Sequence, residues 1–211
     1  MKVGKKQSTR LFSYVIARDF GFAPNPFYRV CTLATCKPQI RATADLGDWI
    51  VGTGSKEYGL QGRLVYAMKV DEILTFDEYW NSPRFIEKRP LLNGSLKQRY
   101  GDNIYHYDSS AKKWVQADSH HTLPNGKPNR KNIKRDTGKT VRVLLGREYT
   151  YWGGSGPKVP AIFKRKGNDV CCTTQGHKCR FDEDFANAFI DWVKSLGMVG
   201  FAGAPAEFPK P

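Results

Sequence analysis

An α+β fold, with several strands curled into a small barrel and helices on its outside, is what the sequence predicts, on three observations. Short runs rich in β-branched and aromatic residues recur, at "RLFSYVIARDF", "WIVG", "RLVYAMKVDEIL" and "KTVRVLLG", with turn residues between them. Helical periodicity is confined to few places. The clearest is Phe181, Phe185, Ala188, Phe189, Trp192, Val193 and Leu196, a 3.6-residue repeat near the C-terminus. Finally, 211 residues that are 40% hydrophobic and 13% aromatic provide for one well-filled core.

In chain order, a basic leader over residues 1–10 precedes the strand at Leu11, and "GFAPNPF" with its two prolines around Asn25 forms a rigid loop. "YRVCTLAT" is a second strand. Pro38 suits the first turn of a helix that runs to a stop at Gly47. Gly47 and Asp48 then turn the chain into "WIVG", a buried strand, with "TGSKEYGLQG" as the loop beyond it. Arg63 to Leu74 is the longest strand candidate and is expected to be central. Thr75 with Glu78 has capping-box spacing and starts a short helix that Pro83 ends.

From Arg84 to about Lys139 the periodicity fails, while Ile104, Tyr105, Trp114 and Val115 offer apolar anchors. A stretch of that length without regular structure is uncommon unless it has a function. It is expected to be an ordered insertion, about 84–139, laid over one face of a single domain spanning 11–196. "KTVRVLLGREYTYWGG" restores a strand. The last helix has Asp182, Glu183 and Asp184 at its positive end and Gly197 after its last turn, and its aromatic stripe reads as a core face. The tail over 197–211 is expected to be extended.

Thirty-four basic residues against twenty acidic ones leave a charge of +14. Between Ser82 and Lys139 there are thirteen Lys or Arg and five Asp or Glu, so more than half the excess sits there. Such an imbalance points to an anionic partner, most often nucleic acid. No apolar run reaches the roughly 20 residues of a membrane helix, so no membrane partner is expected. Five cysteines, an odd number without regular spacing, point to a reducing, cytoplasmic setting.

The blocks "SYVIARDFGFAPNPF", "CTLATCKPQIR", "GDWIVGTGS", "RLVYAMKV", "FDEYW", "GSLKQRYGDNIYH" and "DSHH" resemble the nucleotide-modification-associated domain family Nmad2, over about Leu11 to Trp152. The Gly-Asp turn into an apolar strand also resembles the wider PUA-like group, with its EVE and YTH domains. The first resemblance implies an association with modified nucleic-acid bases. The second implies a small curled barrel with a base-sized pocket.

Several residue groups are candidates for that chemistry. In "GTGS", Gly52 and Gly54 permit close approach, and Thr53 and Ser55 add donors and acceptors, which suits a base edge or phosphate. A Gly-rich hairpin turn is the plainer reading of the same four residues. An extruded base also needs flat surfaces to stack on. Asn25, Trp49, Thr53, Gly54, Ser55, Trp80 and Asn103 form the base-binding set, with Trp80 favoured for stacking. Lys37, Arg41, Arg84, Lys88 and Lys97 are the phosphate-binding set.

Asp102, His106, His120 and His121 are the catalytic candidates, because His acts as acid or base near neutral pH. Adjacent histidines on a strand would point to opposite faces. Cys171, Cys172, His177 and Cys179 are enough ligands on paper for zinc, but neighbouring cysteines are poor chelators on a regular strand and no second pair flanks them, and no cofactor is called for. Cys36 needs a base or positive neighbours before its thiol becomes a nucleophile, and adjacency to Lys37 in sequence does not supply one. Cys31 is expected to be buried. Two readings stay open: a nucleic-acid-binding protein, for DNA or RNA, that inspects a modified or flipped base, and an enzyme acting on modified nucleotides through Asp102, Asn103, His120 and His121.

Overall fold

The structure, a computed structural model, describes residues 9–165, 167–197 and 199–209. Lys2, Lys5 and Lys6 of the basic leader therefore lie outside the described residues. Arg10, at the leader's end, is tied down: its Nη2 lies 2.6 Å from Asp48 Oδ2.

The fold is α+β. Strands β1 (Leu11–Ile16), β3 (Trp49–Gly54), β4 (Leu64–Lys69), β9 (Tyr149–Tyr151) and β12 (Gly200–Phe201) form one sheet in the order β1-β3-β4-β9-β12. β2 (Cys31–Leu33), β8 (Arg142–Gly146) and β5 (Glu72–Thr75) form a second, in the order β2-β8-β5. Two hairpins complete the β-structure, β6 (Tyr105–Asp108) with β7 (Lys113–Gln116), and β10 (Lys164–Arg165) with β11 (Asn168–Asp169). The helices are α1 (Pro38–Thr43), α2 (Phe76–Asn81), α3 (Leu96–Arg99), α4 (Arg130–Thr137) and α5 (Glu183–Ser195).

The curled barrel expected from the sequence is not formed: among the described residues the sheets stay open. The reason lies in the run from Arg63 to Leu74, which is two strands in two sheets. β4 pairs with β9, and β5 with β8, so the chain turns a corner at Val70 and Asp71. The corner is held by the Asp71 carboxylate, which accepts from the backbone N–H of Arg147 at 2.6 Å and of Glu148 at 3.2 Å. Gly146 is needed there, because a Cβ on it would lie 2.4 Å from the Lys69 carbonyl oxygen.

Alternation in the strands then assigns the layers. Leu11, Trp49 and Val51 face α5, where Phe189, Ile190 and Val193 pack. Phe12, Tyr14, Ile16 and Ile50 face the second sheet and meet Leu33 and Leu144, with Cys31 fully buried among them as expected. On the far side of that sheet, Val143 and Leu145 pack against Phe76, Tyr79, Ile104 and Tyr105, so α2 and the 84–139 segment form an outer layer. That segment is ordered, as expected, and carries α3, β6, β7 and α4. Thr75 and Glu78 make the reciprocal capping box that starts α2. The tail after α5 is more firmly placed than its composition suggests: β12 pairs parallel with β9, and Ala206 N–H donates to Asp19 Oδ2 at 2.9 Å.

The stretch "GTG" of Gly52 to Gly54 proves to be the end of β3, and only Ser55 begins the loop. A Cβ on Gly52 would lie 2.3 Å from Ile16 Cδ1 and 2.6 Å from the Tyr66 ring. On Gly54 it would lie 2.3 Å from Leu60 Cβ and 2.5 Å from the Leu60 carbonyl oxygen. Both glycines answer to packing, with no open space for a ligand above them.

Candidate functional site

The site is built on the turn after β2. Cys36 and Lys37 both have left-handed backbones, with φ of 57° and 40°. A non-glycine residue in that region costs on the order of 1–2 kcal/mol and persists only where its surroundings hold it. Here they do. The Cys36 N–H donates to Asp136 Oδ1 at 2.8 Å, and its carbonyl accepts from Arg41 Nε at 2.9 Å. Arg41 is fully buried and also donates to the carbonyls of Arg142 at 2.7 Å and Asp136 at 2.5 Å. It therefore ties the Cys36 turn, β8 and α4 together, and burial pushes its pKa down to about 10 against the pull of Asp136.

The outer layer supplies the partners. Cys36 Sγ lies 3.7 Å from His121 Nε2, and His121 Nδ1 lies 3.3 Å from Asp136 Oδ2. Asp136 sits in the last turn of α4, fully buried, and accepts from Tyr105 Oη at 3.0 Å and from Arg135 Nε at 2.9 Å. His121 is placed by the turn at 119–122, in which its N–H donates to Ser119 Oγ at 3.3 Å. Its carbonyl accepts from Asn132 Nδ2 at 2.8 Å and Gln116 Nε2 at 3.3 Å. The Phe22 ring packs edge-on against the imidazole at 4.4 Å.

Electrostatics follow from this arrangement. Burial opposes ionisation of the Cys36 thiol, but the His121 hydrogen bond and charge, with Arg135 behind them, outweigh it and bring the pKa below the ordinary thiol value. His121 moves the other way: burial disfavours its charge, and the bonds to Asp136 and Cys36 overcome that and raise it. Asp136, despite its burial, is held well below the carboxylate range by His121 and Arg135. The three shifts share one cause, the series of contacts from Cys36 through His121 to Asp136.

Cys36, His121 and Arg135 border a cavity of about 480 Å³. Tyr14, Phe20, Phe22 and His120 supply aromatic surface, and the cations are Lys37 and Arg18, the latter paired with Glu207. Lys37 Nζ stands 4.5 Å above the Tyr14 ring, and the Arg18 guanidinium 5.0 Å above Phe20. His120 packs against Phe20 at 4.7 Å, and partial burial of its ring, helped by the His121 charge, pushes it down to about 4. His120 and His121 do not point to opposite faces as a strand would require. They occupy a turn, and their rings stack 6.0 Å apart at the same cavity.

The other sequence candidates fall elsewhere. Asp102 is fully buried and accepts from Thr32 Oγ1 at 2.6 Å and Tyr79 Oη at 2.8 Å. The buried Lys88 completes this network by donating to Asn25 Oδ1 at 2.7 Å and to Thr32 Oγ1 at 3.1 Å. Burial pushes Lys88 down to about 8, against the pull of Asp102. Asp102, Lys88 and Asn25 therefore hold β2 to the outer layer, with no face turned to a ligand. Asn103, fully buried, donates to the carbonyls of Tyr79 at 3.0 Å and Phe85 at 3.2 Å. Trp49 is buried beneath α5.

Thr53 is buried and bonded to the Tyr14 carbonyl at 3.3 Å, Gly54 is closed in by Leu60, and Ser55 follows half-buried, its Oγ without a partner. The Trp80 ring is occupied by His106, stacked at 4.4 Å, and by the Arg89 guanidinium at 4.0 Å. Of the phosphate-binding set only Lys37 lines the cavity. Arg41 and Lys88 are buried, Arg84 pairs with Glu72 at 2.6 Å, and Lys97 lies over Phe201 at 5.0 Å in a separate groove. Of Cys171, Cys172, His177 and Cys179, the first two are buried, Cys179 is exposed and His177 lines the cavity. Among the described residues no three His, Cys, Asp or Glu side chains are grouped to hold a metal.

Sequence reasoning missed Arg135, Asp136, Phe20 and Phe22. The one available signal was Cys36-Lys37 directly before a helix-starting Pro38, since the residue before a proline is steered away from the right-handed helical region. Comparison with curated proteins finds no match, and neither does comparison with solved structures. A family model does match, over residues 8–210, nearly the whole described chain including every element that borders the cavity. The chain belongs to the Nmad2 family, the nucleotide modification associated domain 2.

Proposed function

We propose that this protein binds nucleic acid and holds a base, plain or modified, in the cavity bordered by Cys36 and His121. The observation that carries the reading is the composition of the cavity: aromatic faces from Tyr14, Phe20, Phe22 and His120, with Lys37 and Arg18 beside them. Flat faces suit a base and cations suit its phosphate. A volume of about 480 Å³ is that of a small-ligand site. The charge of +14 supports a polyanion, and membership of a nucleotide-modification family supports the base. The base pocket implied by the PUA-like resemblance is kept in this reading, without the closed barrel. Residence in the cytoplasm belongs to it too, and rests on the odd cysteine count.

The test is a fluorescence-anisotropy titration of labelled plain and base-modified strands at several salt concentrations. Affinity should fall steeply as salt rises. His120→Ala removes the exposed ring at the cavity and should weaken binding by about 1–3 kcal/mol, and Lys37→Ala should flatten the salt dependence. Binding that is unchanged by His120→Ala would remove the cavity from the reading. No binding at low salt would remove the reading itself.

A further inference from the structure

We propose that Cys36 is the nucleophile, His121 the general acid and base, and Asp136 the residue that orients His121, in cleavage of an acyl bond carried by the nucleobase or nucleotide held in the cavity. The substrate part rests on the base-binding reading above; the chemical part rests on geometry alone. Cys36 Sγ, His121 and Asp136 stand in series at 3.7 Å and 3.3 Å, from two parts of the chain 85 and 100 residues away from the cysteine. Nucleophile, base and orienting group in series are the arrangement that nucleophilic catalysis requires. The strained backbone at Cys36 and Lys37 presents the thiol at the cavity, and a buried arginine and a buried aspartate are spent on holding it there. Neither feature is needed to bind a base.

The position of the imidazole suits acyl transfer: Nε2, 3.7 Å from Sγ, is within reach of the atom that leaves an acyl carbon attacked by the sulfur. In the first half, the thiolate attacks the acyl carbon, the S–C bond forms and the bond to nitrogen or oxygen breaks. The electron pair of that bond leaves with the departing atom, which takes the proton from His121 Nε2. In the second half, neutral His121 takes a proton from water, the hydroxide adds to the thioester, and the S–C bond breaks. A carboxylic acid is released, with thiolate and imidazolium restored. Acyl nucleotide plus water thus give the amine or alcohol and the acid, with no oxidant or metal consumed.

Charged and titratable groups face Cys36 from each neighbouring element: Lys37 from its own turn, Arg41 from α1, His121 from the 119–122 turn, and Arg135 and Asp136 from α4. Together they bring the Cys36 thiol below its ordinary pKa. An ordinary thiol is only about 1% ionised two pH units below its pKa of about 8.5.

The experiment uses the full chain and two probes. Iodoacetamide labelling at pH 6.5, read by peptide mass spectrometry, should modify Cys36 at least tenfold faster than the exposed Cys179, and His121→Gln should abolish the difference. Incubation with p-nitrophenyl acetate and with an N-acetylated cytidine should leave one acetyl group on Cys36, cleared by water. Cys36→Ala, which removes the thiol and keeps the backbone N–H and carbonyl that hold the turn, should form no adduct with either probe. This second variant keeps the test open if His121→Gln does not fold. Labelling of Cys36 no faster than of Cys179 overturns the nucleophile. Fast labelling with no acetyl adduct from either probe overturns acyl transfer while leaving base binding intact. An adduct from p-nitrophenyl acetate alone, with no oligonucleotide protecting Cys36, overturns the nucleotide substrate and fails together with the base-binding reading.

Discussion

Substituting the glycines of "LGDWIVGTGS" by alanine separates packing from backbone freedom in a single series. Gly47 has φ of +86° and open space around its missing Cβ, so Gly47→Ala should cost only the left-handed backbone, about 1–2 kcal/mol. Gly52 has no positive φ, but its Cβ would fall 2.3 Å from Ile16 Cδ1 and 2.6 Å from Tyr66 Cε1. The isoleucine tip can rotate; the Tyr66 ring is fully buried and packs edge-on against Tyr14 at 6.0 Å, so it has nowhere to go. Overpacking of this kind costs about 1–3 kcal/mol, less the roughly 0.5–1 kcal/mol regained by restricting the unfolded chain. At Gly54 the obstructing atom is the Leu60 carbonyl oxygen at 2.5 Å, which is backbone and cannot rotate away. Gly54→Ala should therefore be the most damaging of the three, at about 3 kcal/mol or more. Urea unfolding followed by circular dichroism measures this directly, since about 2 kcal/mol corresponds to a midpoint shift of about 1 M at a slope of about 2 kcal/mol per M. Were "GTGS" a mobile binding loop, Gly52→Ala and Gly54→Ala would be neutral or slightly stabilising. Midpoints within 0.2 M of the native protein, a threshold of about 0.4 kcal/mol at that slope, would refute the packing argument.

Two further predictions concern the buried network beside β2. Asp102→Asn leaves the Lys88 cation without its countercharge in a site with no access to water, and should destabilise the fold by about 3–5 kcal/mol in the same urea experiment. A loss under 1 kcal/mol would mean that the network is not charged. Lys88 titrates near 8 in the folded protein against about 10.5 when unfolded, so between those values the unfolded chain binds the extra proton and stability rises with pH. Relative to Lys88→Met, the native protein should gain on the order of 3 kcal/mol on going from pH 7.5 to pH 10.5, and parallel curves for the two proteins would contradict the assignment.

Local regularities came through from sequence to structure because they depend on near neighbours. The Thr75–Glu78 capping box, Pro38 at the start of α1 and the apolar stripe of α5 each need only three or four residues of context, and each is present, although Ala186 and Ile190 take the buried places read for Ala188 and Leu196, which are exposed. The run from Arg63 to Leu74 reads as one strand because alternation continues through it. The break at Val70 is set by what its two halves pair with, β9 and β8, some 75 residues further on. A glycine in sequence is silent on whether its freedom serves a ligand or a neighbouring ring; Tyr66 and Leu60 decide that at Gly52 and Gly54.

Charge, aromatic content and family blocks in the chain sufficed to indicate a nucleotide-associated α+β protein, because composition and motif are carried by the chain itself. The sequence made Asp102, Asn103, Lys88 and His121 candidates alike and gave Arg135 and Asp136 no prominence. Tertiary structure divided them: Asp102, Asn103 and Lys88 went into the buried network, while His121, Arg135 and Asp136 came to Cys36. Burial alone does not divide them, since Asp136 is as buried as Asp102; His121 and Arg135 reach the cavity, whereas Asp102, Asn103 and Lys88 are closed in by their own partners. Cys36 could be noticed in the sequence but not paired, because the histidine that lowers its pKa lies 85 residues away and is delivered by a turn whose position depends on Gln116 and Asn132.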